Sequence, residues 1–468
     1  MSNNHDLVIL GSGSTAFAAA LRAQSQGAKV LMIEKSVLGG TCVNWGCIPS
    51  KTLIHSALFY QEARLGARVG LGISESGIDL DRLMAHKDMV VHYLRKTKYL
   101  DILQNVPGLT LVRGTARFID PQTVEVGEQK IRGDKFLIAT GGDPRIIEFP
   151  GLHGVDYLTS RSALLLKKFP ASLTIIGGGV IALELGQMFQ RLGTRVTVLE
   201  HGPRILPDIE EEPALAVQQA LIGEGMEIVP NVSICSLAKD VDRTVVETEM
   251  EGLRKKFAAE RLLLAVGTAP STDGIGLDKA GVEIDSKGFI RVDEQMRTTA
   301  PGIWAAGDVI GGMMIATVGA REGIVAVDNM LNPGCGCAMD YLSAPMAIFT
   351  DPEVAMAGHT EESARKAGFE VVTSILPVSA IPKAHVTGLT CGVIKMVADV
   401  ATNRLLGVHL TCHGGAEMIN EAALAIRFRL TVQDLANTLH VYPSMAEGLR
   451  LCAQGFSRDV SKLSCCAE

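Results

Sequence analysis

The sequence predicts an α/β fold followed by a separate α+β domain at the C-terminal end. Short apolar runs that end in glycine alternate with helical stretches, which is typical of β-α-β units, and one such unit occurs twice. From about residue 335 onward the composition changes, and strand-like runs precede two helical segments. The length of 468 residues fits about three domains of roughly 150 residues each.

The two β-α-β units cover residues 6–34 and 172–200. Additional apolar runs that lead into glycine turns or a carboxylate predict three more strands, and the C-terminal region repeats the strand pattern before turning helical. The loop 331–337 joins this last region to the rest. The predicted strands are 6–11, 29–34, 136–141, 172–178, 195–200, 262–267 and 302–308, with others inside 344–358, 391–399 and 405–410; the predicted helices are 14–27, 180–193, 415–428 and 431–439.

Composition excludes several classes of function. The net charge of −7, the lack of long basic runs and an aromatic content of 4% argue against a nucleic-acid partner. No apolar run approaches the ~18 residues that span a bilayer, and the N-terminal residues lack the basic region of a signal peptide. We therefore expect a cytoplasmic protein. Its ten cysteines are then not a disulfide framework, and reactive ones are candidates for redox or metal chemistry.

The first β-α-β unit carries the pattern Gly11-x-Gly13-x-x-Ala16, with Glu34 lying 23 residues after the first glycine. Gly11 would form the tight turn, Gly13 would let the backbone approach a pyrophosphate, and Ala16 would allow close packing of helix and strand. The helix N-terminus then faces the anion, and Glu34 is placed to accept a hydrogen bond from a ribose hydroxyl. The unit predicts a dinucleotide site.

The second unit repeats this pattern with Gly177, Gly179 and Ala182, and Glu200 again follows the first glycine by 23 residues. One such motif is a weak signal, but two copies between strand and helix are specific. Two dinucleotides fit a flavin and a nicotinamide, of which one passes a hydride to the other. The fold class is therefore α/β, with two Rossmann-like dinucleotide-binding domains plus the C-terminal α+β domain.

The residues after the second unit bear on the choice of nicotinamide. Glu200 would repel a ribose 2′-phosphate and so favours NADH. His201 and Arg204 are close enough in sequence to offer positive compensation. The sequence leaves NADPH or NADH open.

A pair of cysteines, Cys42 and Cys47, follows the first unit within the segment 39–51. A straight helix would hold residues five apart beyond disulfide reach, so the segment must bend through Gly46. Pro49 suits the first turn of a helix, which would put Cys47 near a helix N-terminus, where the thiol pKa is lowered. Such a pair can cycle between dithiol and disulfide.

The cysteine segment GGTCVNWGCIPSK, the two glycine fingerprints, ATG at 139–141 and GIWAAGD at 302–308 resemble the FAD-dependent pyridine nucleotide–disulfide oxidoreductases. The resemblance covers essentially the whole chain. It implies a homodimer with active sites shared between subunits. The implied domains are a discontinuous FAD-binding domain at 1–145 and 270–330, an NAD(P)H-binding domain at 146–269, and a dimerisation domain at 335–468 with a C-terminal Cys-Cys tail.

The same resemblance assigns roles to individual residues. It makes Cys42 the interchange thiol and Cys47 the thiolate that lies against the flavin. Lys51 and Glu184 resemble the pair near the reactive edge of the flavin, and Asp308 would bind the ribityl chain. The cofactor-binding residues implied are Gly11, Gly13, Ala16, Glu34, Gly40, Thr41, Lys51, Thr140, Gly141, Asp308, Gly177, Gly179, Ala182, Glu200 and Gly267.

The C-terminal domain departs from the thiol-disulfide members of the family. Dihydrolipoamide dehydrogenase-like enzymes carry His-x-His-Pro-Thr-x-x-Glu, in which the second histidine is the base. The segment 440–447 keeps this frame but has Tyr442 at the base position, and a phenol with a pKa near 10 is a poor base at neutral pH. His440 either substitutes in part for that base or packs near the interface.

The tail holds a second departure, the adjacent cysteines Cys465 and Cys466. Their Cα atoms lie about 3.8 Å apart, so a disulfide between them would be strained. A thiol pair on a chain terminus is better suited to catching a soft metal ion.

Together with the stretches LTVQDLANTL, MAEGLRL and KLSCCAE, these departures resemble the mercuric reductases of this family. That resemblance implies Hg(II) as the substrate, delivered on small thiols, bound by Cys42, Cys47, Cys465 and Cys466 and reduced to Hg(0) for detoxification. It places two tyrosines near the metal, which are Tyr99 of the same subunit and Tyr442 of the partner subunit. A dihydrolipoamide dehydrogenase-like disulfide reductase and a thiol-based metal sequestration protein remain the alternatives, and the roles of Cys335 and Cys337 stay open.

Overall fold

The computed structural model describes residues 5–73 and 77–462, and all counts below refer to these residues. They form three five-stranded sheets, two of them parallel and the third antiparallel, with three smaller antiparallel ribbons between or beside them. This is the α/β architecture with an antiparallel C-terminal sheet that the sequence predicts.

The first parallel sheet contains both strands of the first β-α-β unit at its centre. Its outer strand on one side comes from much later in the chain, which makes this part of the fold discontinuous in sequence. All four central strand residues 7–10 are fully buried, as expected for a parallel sheet covered on both faces. The strand order is Ile303–Ala305, Phe136–Ile138, Leu7–Leu10, Val30–Glu34 and Leu109–Arg113.

The second parallel sheet is built in the same way around the second β-α-β unit. Two short ribbon strands, Gly142–Pro144 and Thr268–Pro270, pair antiparallel where the chain passes from the first sheet to the second and returns. The two crossings therefore run side by side. The strand order of the second sheet is Glu227–Val229, Arg195–Leu199, Ser172–Ile176, Arg261–Leu264 and Tyr157–Leu158.

The C-terminal sheet is antiparallel and confirms the strands predicted inside 344–358, 391–399 and 405–410. Its edge strand Val371–Pro377 was not predicted. That strand alternates buried and exposed residues, as a strand with one face on a core does. The order is Met346–Ile348, Glu353–Gly358, Leu405–Cys412, Val393–Asp399 and Val371–Pro377.

Two three-stranded ribbons were also missed by the sequence reasoning. In Arg243–Met250, only the alternate residues Thr244, Val246 and Thr248 are buried, and three of the four residues between and beside them are charged. A ribbon of this kind has one solvent-exposed face, so its sequence contains no long apolar run that would mark it as a strand. The strands are Ala116–Asp120, Thr123–Val126 and Gln129–Arg132 in one ribbon and Ser233–Asp240, Arg243–Met250 and Leu253–Ala259 in the other.

One helix, Cys47–Leu65, connects the parts of the molecule, and we call it the redox helix. Its Leu53 and Ala57 are buried in one cluster with Leu173 of the second sheet and Ile348 of the third. No helix in the described ranges is both long and apolar enough to cross a membrane. The helices are Ser14–Ser25, Gly40–Asn44, Cys47–Leu65, Leu80–Arg95, Asp101–Asn105, Ser160–Ala163, Val180–Arg191, Glu211–Gly223, Leu277–Ala280, Ala316–Leu331, Glu361–Lys366, Pro382–Thr387, Gly415–Arg427, Val432–Asn437 and Glu447–Gln454, with a π-helical turn at Lys96–Leu100.

Candidate active site

A cavity of about 530 Å³ lies beyond the carboxyl ends of the first sheet and reaches the crossing ribbon and the redox helix. Open α/β sheets bind their ligands at this edge. The cavity brings most of the predicted site residues together, whereas Tyr99, Tyr442 and the second fingerprint do not line it. The predicted residues in its lining are Gly11, Gly13, Glu34, Gly40, Thr41, Cys42, Cys47, Lys51, Thr140, Gly141, Glu184, Gly267 and Asp308.

The first fingerprint has the backbone geometry that its glycines predict. Gly11 has φ +118°, and a Cβ there would lie 2.2 Å from the carbonyl oxygen of Ala139. Gly40 has φ +66°, and its Cβ would lie 2.6 Å from the Cα of Gly13. The helix that begins at Ser14 has no side-chain cap on its N-terminus, so its N–H groups are available to an anion.

Two polar groups beside this turn fit a dinucleotide. Glu34 is buried, and its carboxylate accepts hydrogen bonds from the Ser12 hydroxyl and the Ser36 amide, both at 2.6 Å. The Thr140 hydroxyl is buried in the cavity lining and has no protein partner among the described residues. An uncapped helix, a cradle that only glycine permits and a buried hydroxyl without a partner together fit FAD in this cavity.

The loop that carries Asp308 is hydrogen-bonded to Glu322, a residue that the sequence analysis did not identify. Glu322 is buried and accepts hydrogen bonds from the Gly307 amide and the Tyr341 hydroxyl, each at 2.8 Å. Burial raises the pKa of both Asp308 and Glu322. No motif marks Glu322, since it lies within a helix and meets Gly307 only through the fold.

The two active-site cysteines sit at a break between helices, as predicted. The short helix Gly40–Asn44 ends at Trp45, and the redox helix begins at Cys47, with Pro49 in its first turn. A Cβ on Gly46 would lie 3.2 Å from the carbonyl oxygen of Thr41, which is a tight contact, so glycine suits the bend. The bend turns both cysteines into the cavity.

The two thiols differ strongly in acidity. The hydrogen bond from Cys42 lowers the pKa of the Cys47 thiol to about 7, against the effect of burial, and the charge of Lys51 acts in the same direction. The same hydrogen bond, together with burial, raises the pKa of Cys42 far above its ordinary value. Cys47 is therefore the thiolate of the pair, and Cys42 holds the proton.

Lys51 and Glu184 form an ion pair of 2.6 Å across the cavity, joining the redox helix to the helix of the second fingerprint. The other carboxylate oxygen of Glu184 accepts a hydrogen bond from the Phe349 amide at 2.9 Å, and the Lys51 ammonium lies 4.9 Å from the Phe349 ring centre. Glu184 is buried, so it holds the Lys51 ammonium in place beside the thiols.

Arg161 is a second cavity residue that the sequence did not reveal. Its guanidinium lies 2.6 Å from Asp143, 3.2 Å from the Gly142 carbonyl and 5.2 Å from the centre of the Trp45 ring. It also contacts the Thr41 hydroxyl at 3.5 Å. Arg161 thus links the cysteine loop to the crossing ribbon. In the sequence, Arg161 is marked only by the preceding Thr159, which is an ordinary helix N-cap.

Tyr99 lies behind the cysteine loop. It sits in the π-helical turn and packs edge-on against Phe17, with ring centres 4.8 Å apart. Burial raises the pKa of its hydroxyl to about 12, and the charges of Cys42 and Cys47 act in the same direction. Tyr99 is therefore close enough to the pair to interact with it electrostatically.

The second fingerprint repeats the first at the edge of the second sheet. Gly177 has φ +109°, and a Cβ there would lie 2.4 Å from the Ala265 carbonyl oxygen. Gly179 precedes a helix without a side-chain cap, and Ala182 is fully buried beneath it. These features fit a second pyrophosphate.

The surroundings of Glu200 bear on the choice of nicotinamide. Its carboxylate accepts hydrogen bonds from the Gly178 and Gly202 amides. Arg204, suggested by the sequence as positive compensation, donates to carbonyl oxygens of its own loop between Ile205 and Ile209. The guanidinium is thus occupied in holding the loop.

In the C-terminal domain, the His440 Nε2 donates a hydrogen bond to the Glu421 carboxylate at 2.9 Å. This hydrogen bond raises the pKa of His440. Tyr442 is half-exposed. Within the described ranges, the buried Glu447 has no hydrogen-bond partner for its Oε2 atom. Cys465 and Cys466 lie outside the described residues.

One disulfide is present in the described part of the chain, between Cys335 and Cys337. The sequence left the roles of these two cysteines open. The bridge encloses a single glycine, so it joins no distant segments of the chain. Residues 5–73 and 77–462 contain no group of three or more Cys, His, Asp or Glu arranged to hold a metal ion.

Comparison with known proteins agrees with this site. Residues 5–323 match the pyridine nucleotide-disulphide oxidoreductase family and residues 344–453 match its dimerisation domain. The chain is 41% identical to a mercuric reductase of Lysinibacillus sphaericus, over 99% of this chain and 85% of that protein. It is 38% identical to a mercuric reductase of Streptomyces lividans, over 99% and 98%.

Among solved structures, the Cu(II) complex of the HOCl-induced flavoprotein disulfide reductase RclA from Escherichia coli has a TM-score of 0.86 and 31% identity, covering 96% of this chain and 99% of that one. The family matches span both fingerprints and the cysteine segment. The chain belongs to the pyridine nucleotide-disulphide oxidoreductases and, among them, to the group of the mercuric reductases.

Proposed function

We propose that this chain reduces Hg(II) to Hg(0), with electrons from NADH or NADPH that pass through FAD to the dithiol of Cys42 and Cys47. The observation that carries the proposal is the hydrogen-bonded pair of Cys42 and Cys47 in the lining of the cavity, where the hydrogen bond lowers the pKa of Cys47 to about 7. Hg(II) is a soft cation, and thiolates are its preferred ligands. A pair in which one thiol is partly ionised at neutral pH can capture Hg(II) at that pH.

Capture proceeds by exchange of one ligand at a time. The Cys47 thiolate attacks Hg(II) carried by two small thiols, and one of them leaves as its thiolate. The pKa of Cys42 is high largely because Cys47 accepts its hydrogen bond, so the pKa of Cys42 falls once Cys47 is bonded to mercury. Cys42 then displaces the second carrier thiol, which takes the Cys42 proton with it.

This exchange explains why Tyr442 can stand where related enzymes have a basic histidine. The first carrier leaves as a thiolate in exchange for the Cys47 thiolate, and the second takes up the proton of Cys42, so no separate base is needed. Release of a thiolate from an organic disulfide does need a proton donor, and a tyrosine with a pKa near 10 serves poorly. The substitution favours metal over disulfide as the substrate.

FAD, when bound, supplies the two-electron link between the nicotinamide and the thiols. Gly11, Gly13, Glu34, Thr140 and Asp308 would hold it. The corresponding domain comprises residues 1–145 and 270–330, with 146–269 for the nicotinamide and 335–468 for dimerisation. The remaining FAD contacts proposed are Ala16, Gly40, Thr41, Lys51 and Gly141.

Gly177, Gly179, Ala182, Glu200 and Gly267 would hold the nicotinamide dinucleotide. We expect NADH to be the better donor, because Glu200 is negative and the neighbouring guanidinium donates to its own loop. The homodimer is supported by the match of residues 344–453 to a dimerisation domain and by the exposed apolar residues Leu439 and Val441, which a partner would cover.

In this dimer, Cys465 and Cys466 would take Hg(II) from small thiols and pass it to Cys42 and Cys47. Tyr99 would lie near the transferred metal, as would Tyr442 of the partner subunit. Glu184 would hold Lys51 beside Cys47, and the Lys51 charge favours the Cys47 thiolate more than the Glu184 charge opposes it.

The test uses the FAD-loaded chain with Hg(II) supplied as a complex of two small thiols, and follows nicotinamide oxidation. We expect Cys42→Ala and Cys47→Ala to abolish turnover, and the double change of Cys465 and Cys466 to Ala to lower it most at high thiol concentration. Cys391→Ala, an exposed cysteine outside the cavity, is the matched control and should leave the rate unchanged. Efficient turnover of lipoamide without mercury reduction would instead identify a disulfide reductase.

A further inference from the structure

Cys335 and Cys337 form a second close pair of sulfur atoms, in the loop after the helix Ala316–Leu331. Their Cα atoms are 5.3 Å apart. Cys335 is exposed, and Cys337 is partly buried against the core of the first sheet. The proposed reductase mechanism does not use either of them.

The loop is built so that the two side chains meet. The Asn329 side chain donates to the Cys337 carbonyl at 2.8 Å and accepts from the Cys337 amide at 3.2 Å. The Cys335 amide donates to the Asn332 carbonyl at 3.0 Å. Gly336 between the cysteines has φ +60°, a conformation that favours glycine. Both sulfur atoms are thus preorganised on a short, anchored turn.

This pair is remote from the flavin cavity. Ala316, at the N-terminal end of the helix, lines that cavity, whereas the cysteines follow its C-terminal end. The helix has 16 residues, which at 1.5 Å per residue separates its ends by about 24 Å. The pair therefore lies outside the redox centre of its own chain.

We propose that the reduced Cys335–Cys337 pair is a peripheral binding site for one soft cation that accepts two thiolates, with Hg(II) as the cation that the chain meets. The described residues offer no third Cys, His, Asp or Glu ligand in a metal-holding group, which disfavours Zn(II) with its four ligands. The chelate retains Hg(II) because release of one sulfur leaves the other bound nearby. The choice of Hg(II) as the cation rests on the proposed function, whereas the two-thiolate site itself goes beyond it.

The oxidation state of the two cysteines determines whether the site can bind the ion. Two small thiols reduce the disulfide, giving two cysteine thiols and one small-molecule disulfide. The dithiol then reacts with Hg(II) bound to two small thiols, forming two sulfur–mercury bonds and releasing two small thiols with the cysteine protons. The disulfide form has no thiolate to offer and does not bind the ion.

The experiment measures mercury bound to the full-length, FAD-loaded chain in which Cys42, Cys47, Cys465 and Cys466 are all changed to Ser. The protein, reduced with N-acetylcysteine, receives HgCl₂ and is dialysed against the same monothiol, which strips singly bound mercury. Adding Cys335→Ser and Cys337→Ser makes the test variant. Adding Cys235→Ser and Cys391→Ser instead makes the matched control, which loses two unpaired thiols.

The proposal predicts close to one mercury per chain in the reduced background and in the matched control, and close to none in the test variant. Prior oxidation of the background with diamide should also abolish binding. Equal retention in the test variant and the control, or retention after oxidation, would overturn the proposal. Because no turnover is measured, failure of the reductase function would leave this outcome unchanged.

Discussion

The acidity of Cys47 depends on its neighbour, so changing Cys42 should change the pKa of Cys47 in a way that separates the hydrogen bond from other effects. Cys42→Ala removes the donor that contributes most to lowering the Cys47 pKa. Cys42→Ser removes the same sulfur atom but leaves a hydroxyl that can donate to the Cys47 thiolate. Both variants keep Lys51, so only the hydrogen bond differs between them.

The size of the effect follows from the hydrogen bond. A bond to a charged acceptor is worth about 1.5–3 kcal/mol, which corresponds to about 1–2 pKa units. With a Cys47 pKa of about 7, roughly half of this thiol is ionised at pH 7 in the native chain. In Cys42→Ala the pKa should rise to about 8–9, and the ionised fraction at pH 7 should fall to roughly one tenth to one hundredth.

The assay is the pH dependence of iodoacetamide alkylation, with the peptide that contains Cys47 quantified by mass spectrometry. A full pH profile is needed because a less acidic thiolate is intrinsically more nucleophilic, which partly offsets its lower abundance. We expect an apparent pKa near 7 in Cys42→Ser and about 1–2 units higher in Cys42→Ala. Equal profiles for the two variants would refute the role of the hydrogen bond.

Three further predictions concern the cofactors and the C-terminal domain. Gly11→Ala would place a Cβ 2.2 Å from a carbonyl oxygen, so this variant should purify largely without flavin, as judged by the ratio of flavin to protein absorbance. Gly27→Ala is the control, because Gly27 has φ +85° and open space around its Cβ position. It should retain flavin and lose only about 1–2 kcal/mol of folding stability. Glu200→Gln removes a charge but keeps an acceptor oxygen, so the ratio of NADP⁺ to NAD⁺ dissociation constants should fall about tenfold, or 1.4 kcal/mol; an unchanged ratio would discard this role. His440 has a raised pKa because of Glu421, so its stabilising effect is fully present below its ordinary pKa of 6.5 and is lost as pH rises through the higher folded value. The stability difference between the native chain and His440→Gln in urea should therefore shrink from pH 6 to pH 9, and a constant difference would contradict the ion pair.

The parts of the site that could be predicted from sequence are those fixed by local backbone geometry. Gly11 and Gly177 occupy turns with positive φ that other residues disfavour, so their spacing reveals both dinucleotide loops. The bend at Gly46 between Cys42 and Cys47 follows from the same reasoning, because two cysteines five residues apart meet only if the helix is interrupted.

The parts that could not be predicted depend on contacts between distant segments. Arg161 meets Thr41 and Asp143 only because the crossing ribbon returns beside the cysteine loop. Glu322 reaches Gly307 from within a helix. The sequence suggested Arg204 only as positive compensation near Glu200, and its hydrogen bonds to the carbonyls of its own loop depend on how that loop folds.

The central claim is that mercury leaves as the metal with the two electrons of a nicotinamide. The most direct measurement purges elemental mercury from an anaerobic mixture of FAD-loaded chain, limiting thiol-bound Hg(II) and excess NADH or NADPH, and compares it with the nicotinamide oxidised. We expect equal amounts of elemental mercury and oxidised nicotinamide over many turnovers. Mercury retained on the protein at a fixed ratio, with no volatile metal and no sustained nicotinamide oxidation, would contradict this expectation and identify sequestration instead.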